Sequence, residues 1–335
     1  MTKKNKPGQH FLLKASSRTL SLKEIYKGGD EKAYEVFRKL RWSETDGDPV
    51  CPRCGSLDYY HIKTRKKFKC AGCYKQFSVT SGTIFDSRKM SFCDLLAGIC
   101  IVANSVKGLS SLQLARDMDV QYKTAWVFAH KLRTALAVET ENMILDGEVE
   151  IDGAYFGGHV RPKNKRVDRV DRRKWQNQSD DRRSVIGLRE RGGRTLAFVR
   201  KYESEGVEIV KKRVAFDTVL FADEARHWDN LELHFDVVGR INHEQAYSLL
   251  DGTHTNNIES FWSRAKRMVG GQHHHVSPKY LHHYINQAAW NEDHRRRSNG
   301  DNAYAMLGSA LAHPISREFK AYWQRRASDR PSTAR

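Results

Sequence analysis

Residues 146–156 read DGEVEIDGAYF. Val149 and Ile151 alternate with Glu148, Glu150 and Asp152, the period of two that a strand imposes. Three carboxylates then share one face, where they repel one another unless solvent or a cation neutralises them. Gly153, directly after Asp152, lets a ligand or metal approach the backbone closely. Residues 218–225, TVLFADEA, read as a second short buried strand ending in the acids Asp223 and Glu224. Acids at the ends of two strands plus one on a helix can hold two divalent ions about 4 Å apart, the arrangement used in phosphodiester chemistry. Asp223 alone is a weak signal, and Glu224 or Asp229 could stand in its place.

The helical acid is sought in residues 251–278, DGTHTNNIESFWSRAKRMVGGQHHHVSP. A helix from about Asn257 places Ile258, Phe261, Trp262 and Ala265 on one apolar face. Glu259, Ser263 and Lys266 lie on the adjoining stripe. A metal ligand is one reading of Glu259. The other is a capping box, with Asn256 as N-cap and Glu259 its partner three residues on. His273, His274 and His275 fit a polar loop better than a metal set, because zinc ligands come at separated spacings.

Working outward, the chain has 335 residues, room for two or three domains, and a net charge of +18. That charge runs through the whole chain, and a polyanionic partner explains it better than a solvated surface does. No signal-peptide core, lipidation motif or membrane span is visible, so a soluble intracellular protein is expected.

Six cysteines in such a compartment are not read as disulfides. Cys51, Cys54, Cys70 and Cys73 form two CxxC pairs fifteen residues apart, the spacing of a four-thiolate zinc ribbon. Cys93 and Cys100, in SFCDLLAGICIVA, read as core thiols. The ribbon cations Lys63, Arg65, Lys66, Lys67 and Lys69 suit either nucleic-acid contact or a solvated face.

Residues 108–136 predict a helix over Ser111–Met118, a turn at Asp119 and a second helix over Tyr122–Leu136. In a DNA-reading helix-turn-helix, Leu112, Leu114 and Ala115 pack on Ala125, Trp126 and Ala129. Gln121, Tyr122, Lys123 and Thr124 then face the major groove. An ordinary helical hairpin is the plainer alternative. Elsewhere, 30–42 reads as a helix with Asp30 as N-cap, and 184–200 as a hairpin turning at Gly192 and Gly193. A helix is expected at about 204–212 and others over 257–269 and 277–293. Residues 159–183 carry ten Lys or Arg and few apolar residues, an exposed loop.

The blocks RWSETDGDPVCPRCGS, EIDGAYFGG, FADE and THTNNIESFWSRAKR, with the downstream HHHVSPKYLHHYINQAAWNEDHRR, give the chain a family likeness. From about Phe37 to Arg296 it resembles bacterial insertion-sequence transposases of the DDE type, in the ISXO-like group with an N-terminal zinc ribbon. The resemblance implies an α/β chain whose RNase H-like domain, a mixed sheet with helices, follows the zinc ribbon and helix-turn-helix. It also implies catalytic Mg²⁺ or Mn²⁺ beside structural Zn²⁺, and makes Asp152, Asp223 and Glu259 the metal ligands, with Lys266 the basic residue two helical turns later. The expected domains are a flexible basic leader over 1–28, helix plus ribbon over 29–82, and the helix-turn-helix over 83–140. The catalytic domain follows over 141–297 and a basic tail over 298–335.

The expected activity is cutting and joining of transposon ends in double-stranded DNA by two-metal-ion phosphoryl transfer, at the nucleoid in the cytoplasm. Pairing two DNA ends implies a dimer or higher oligomer. A non-catalytic regulator or domesticated transposase, and a zinc-ribbon nuclease that never joins, are the rivals.

Overall fold

The computed structural model describes residues 10–171, 174–241, 248 and 252–324. The first nine residues of the expected leader, Arg172 and Arg173 of the basic loop, and the last eleven residues of the expected tail lie outside the described residues. The chain divides into two compact units, one of residues up to Val138 together with His294 onward, the other Glu139–Asp293.

In the first unit, helix α1 (Leu22–Arg41) starts at a Ser21–Glu24 capping box and kinks at Gly29, whose φ of 69° is left-handed. Residues 22–28 are therefore helical rather than part of a flexible leader. The zinc ribbon is a three-stranded antiparallel sheet of β1 (Tyr59–Ile62), β2 (Lys67–Cys70) and β3 (Gln76–Phe77). Phe68 and Phe77 pack with Trp42 as its small core. Helix α2 (Phe92–Asn104) follows, with Cys93 and Cys100 buried as expected. Asp30 does not cap its own helix: its carboxylate accepts from the N–H groups of Phe92 and Cys93 at 2.6 and 3.1 Å, capping α2 instead.

Helices α3 (Ser111–Asp117) and α4 (Tyr122–Leu136) flank a turn at Asp119, whose φ is 49°. Leu114, Ala115, Ala125 and Ala129 are buried between them. Leu112, expected inside, is 57% exposed, because it lies two residues from buried Leu114 and so on the opposite side of the helix.

The second unit is built on a five-stranded mixed sheet, order β6-β5-β4-β7-β8. Strands β4 (Glu148–Phe156), β5 (Arg183–Glu190) and β6 (Thr195–Arg200) form an antiparallel meander. Strands β7 (Val219–Asp223) and β8 (Val238–Ile241) run parallel to β4. Between the two groups lies α5 (Gly206–Arg213), and α6 (Asn256–Lys266) and α7 (Pro278–His294) follow. The alternation along β4 is obeyed. Val149 and Ile151 join a core with Val207, Val210 and Trp228 on one face. Ala154 and Phe156 join Ile258, Phe261, Trp262 and Ile285 on the other, where Glu150 and Asp152 also point. Each large apolar side chain so buried contributes roughly 1.5–3 kcal/mol. The sheet order, three antiparallel strands followed by two parallel ones, is the RNase H-like arrangement.

Back in the first unit, α8 (Asn299–Ala312) corrects the expectation of a tail from 298. Ala303, Met306, Leu307 and Ala310 recur at helical spacing and are fully buried, and Ser298 caps the helix.

Candidate active site and zinc centre

The zinc ligands predicted from spacing converge. All four cysteine sulfurs lie within 4.8 Å of one another, with Cys51–Cys73 at 3.6 Å and Cys54–Cys70 at 3.5 Å. Tetrahedral zinc with bonds of about 2.3 Å needs sulfurs about 3.8 Å apart, so the set fits that ion. The Cys73 N–H donates to the Cys70 sulfur at 3.4 Å and brings its thiol down to about 6. The thiolate is the form a metal binds; here Cys70 ionises most readily, while the Cys54 thiol hydrogen-bonded within the set is pushed up to about 12.

The carboxylates of the second unit divide into two groups. Asp152 and Asp223 stand side by side on parallel strands, one step beyond the paired positions Ile151 and Ala222. Among the described residues neither carboxylate is paired with a lysine or arginine; Arg240 Nε donates to the backbone carbonyl of Asp223 at 2.7 Å instead. Asp152 Oδ1 accepts from the Gly153 N–H at 2.7 Å, and Oδ2 from the indole N–H of Trp262 at 2.8 Å. The indole reaches it because Gly187, cross-strand from Asp152, has no side chain. A Cβ there would sit 2.6 Å from the Trp262 ring. Burial, with Asp223 and then Glu203 adding negative charge, pushes Asp152 up to about 7 against the two hydrogen bonds.

Glu203 is absent from the sequence expectations. Its carboxylate fills the space beside Gly153, where an added Cβ would fall 2.2 Å from Oε1. Gly153 is thus needed for the close approach of a protein acid. Its own sequence signal was a glycine inside a strand, which marks a close approach without naming the visitor. His227 Nε2 comes within 3.7 Å of Glu203.

Glu148 and Glu150 form the other group, and here the expected cation is arginine. Arg191 pairs with Glu148 at 2.7 Å and with Glu150 at 2.9 Å. Glu150 is fully buried and accepts from the N–H groups of Asn257 and Ile258 at 2.8 and 2.9 Å. These are the second and third residues of α6, the donors an N-cap side chain normally takes. The helix is therefore capped from β4, and Asn256 is its first residue rather than its cap.

Glu259 lies half-buried in the first turn of α6, and Lys266 is exposed at its end. Seven residues of helix separate them by about 10 Å along the axis. Among the described residues, Asp152, Asp223 and Glu259 do not bring their oxygens within 4.8 Å of one another as the cysteines do. Glu224 is exposed and Asp229 is paired with Arg240 at 2.9 Å, so Asp223 is the acid of β7 that stands with Asp152. Hard carboxylate oxygens of this kind suit magnesium or manganese.

In the first unit, Gln121, Tyr122, Lys123 and Thr124 are all exposed at the start of α4. The C-terminal segment also reaches them: the Trp323 indole donates to the Lys123 carbonyl at 3.3 Å, and the Lys123 ammonium lies 5.4 Å from the Trp323 ring centre.

No curated protein matches the chain significantly. Among domain families, residues 28–76 match the transposase zinc-ribbon domain and residues 144–293 the ISXO2-like transposase domain. The first match spans the four cysteines, and the second spans all five strands of the mixed sheet with α5 and α6. With the ribbon and the acid-bearing sheet both accounted for, the chain carries the two domains of the ISXO-like transposases that its sequence resembles.

Proposed function

We propose that this chain is a DNA transposase that cuts insertion-sequence ends and joins them to target DNA by metal-assisted phosphoryl transfer. The observation that carries this reading is the half-buried pair Asp152–Asp223, adjacent on parallel strands, whose carboxylates have no cationic partner among the described residues. Two carboxylates without a cationic partner are costly in a folded chain unless a proton or a metal neutralises them.

Asp152, Asp223 and Glu259 would hold the divalent ions. When bound, such ions activate the attacking oxygen and stabilise the leaving one. Trp262 holds one Asp152 oxygen and so fixes the rotation of that carboxylate. Lys266, exposed two turns beyond Glu259, would neutralise a DNA phosphate. The start of α4 supplies exposed polar and cationic side chains for the major groove, and the cations of the 159–183 loop can hold phosphates. Because water and then a 3′-hydroxyl are the nucleophiles, no protein–DNA bond is required. The two DNA ends must be held together, which calls for at least a dimer.

The test is product analysis with purified protein, magnesium and DNA carrying the sequences that flank the gene. Joined molecules support transposition. Hydrolysed ends without joining would identify a nuclease, and intact DNA that is bound but never cut would identify a regulator.

A further inference from the structure

We propose that Glu150 is a positioning residue that sets where Glu259 stands relative to Asp152. This rests on the metal-binding reading of those acids given above.

Four donors converge on one buried carboxylate. Oε2 takes the N–H groups of Asn257 and Ile258, and Oε1 takes the Asn257 side-chain amide at 2.8 Å and Arg191 Nε at 2.9 Å. His254 Nδ1 stands 3.1 Å from Oε1 as well. A carboxylate offers about four lone-pair sites, so Glu150 has none left for a metal. It shares its strand face with Asp152 but has a different task.

That task follows from connectivity. Glu150 is two residues from Asp152 on β4, and its partner Asn257 is two residues from Glu259 on α6. One side chain therefore links the strand that carries the first acid to the helix turn that carries the third. The Trp262–Asp152 bond makes a second link one turn later. Two attachment points fix both the position of a helix on a strand and its rotation about its own axis. Arg191 braces the first of them. It donates to the carbonyls of Gly252 and His254 at 3.2 and 2.9 Å, holding the approach to α6, and its guanidinium lies 3.8 Å from the Phe221 ring centre on β7. The knot thus ties together β4, β7 and the start of α6, the three elements that carry Asp152, Asp223 and Glu259.

The test is Mn²⁺ binding by electron paramagnetic resonance, on zinc-loaded full-length protein without DNA. Wild type, Glu150→Gln, Glu259→Ala and the double variant are compared, with Asp152→Asn as reference. The Gln amide presents a donor where backbone and guanidinium donors already point. Glu150→Gln should weaken Mn²⁺ binding about tenfold, as loss of a ligand-orienting contact does. In the Glu259→Ala background it should add less than about twofold, because its effect passes through Glu259. Equal weakening in both backgrounds, or none in either, overturns the proposal. Should Glu150→Gln not fold, Arg191→Lys decides. It leaves Glu150 charged but removes the fork to Gly252 and His254, so it should weaken binding in the presence of Glu259 and not in its absence. If wild type binds no Mn²⁺ beyond what Asp152→Asn binds, the metal-site reading itself fails, a result distinct from an unaltered Glu150→Gln.

Discussion

Replacing Asp152 with Asn should remove most of the pH dependence of stability in the sheet of the second unit. Burial, reinforced by Asp223 and Glu203, holds Asp152 at about 7, against 3.8 for the ordinary carboxyl. The folded chain therefore binds a proton that the unfolded chain releases. The resulting stabilisation is complete below about pH 4 and is lost as pH rises through about 7. The rise from 3.8 to about 7 bounds it at about 4 kcal/mol, and the part lost between pH 5 and pH 8 is about 2.5 kcal/mol. Hydrogen exchange over β4, corrected for intrinsic rates and measured without magnesium, reads this locally. Wild type should lose about 2.5 kcal/mol of protection over that interval and Asp152→Asn less than about 1. Added magnesium should restore protection to wild type at pH 8, where the ionised carboxylate is available, and have little effect at pH 5. The same pH dependence in wild type and Asp152→Asn would refute the reasoning.

Cys70→Ser should abolish stoichiometric zinc binding and unfold β1–β3, since metal affinity is folding free energy in so small a sheet; elemental analysis and near-ultraviolet dichroism check this. Gly153→Ala should destabilise the second unit by about 1–3 kcal/mol, because the new methyl must displace the Glu203 carboxylate. Glu203→Ala should relieve much of that loss in a urea-unfolding cycle, and a Gly153→Ala protein as stable as wild type would count against the close approach. Lys123→Ala should weaken duplex binding across all sequences and lower the salt slope by about one, whereas Gln121→Ala should relax sequence preference. Fluorescence anisotropy over a range of salt separates the two outcomes.

Features governed by short-range chemistry were legible in the sequence. The cysteine knuckles, the turn at Asp119, the Gly192 hairpin and the two-residue alternation of β4 each depend on a few neighbouring residues. What the sequence hid was the identity of distant partners. The face carrying Glu148, Glu150 and Asp152 was readable, and so was its need for neutralisation. Nothing local says that a guanidinium and a helix N-terminus serve two of the acids while the third is left without a cation. Asp30 is a similar case: a helix-capping residue, but for a helix 62 residues away in sequence. Helix α8 was readable in principle, since Ala303, Met306, Leu307 and Ala310 meet the helical apolar period, but the basic residues that follow them give the segment a tail-like composition. Glu203 could be inferred only as an unnamed neighbour of Gly153.

The most direct measurement is a transposition assay in cells, with a selectable marker placed between the sequences that flank the gene. Wild type is compared with Asp152→Ala, Asp223→Ala and Glu259→Ala at matched protein levels. Marker movement by wild type that each substitution abolishes is the expected result. Movement that persists in Asp152→Ala would contradict the assignment of the acids, and an immobile marker with wild-type protein that still binds DNA would contradict the assignment of function.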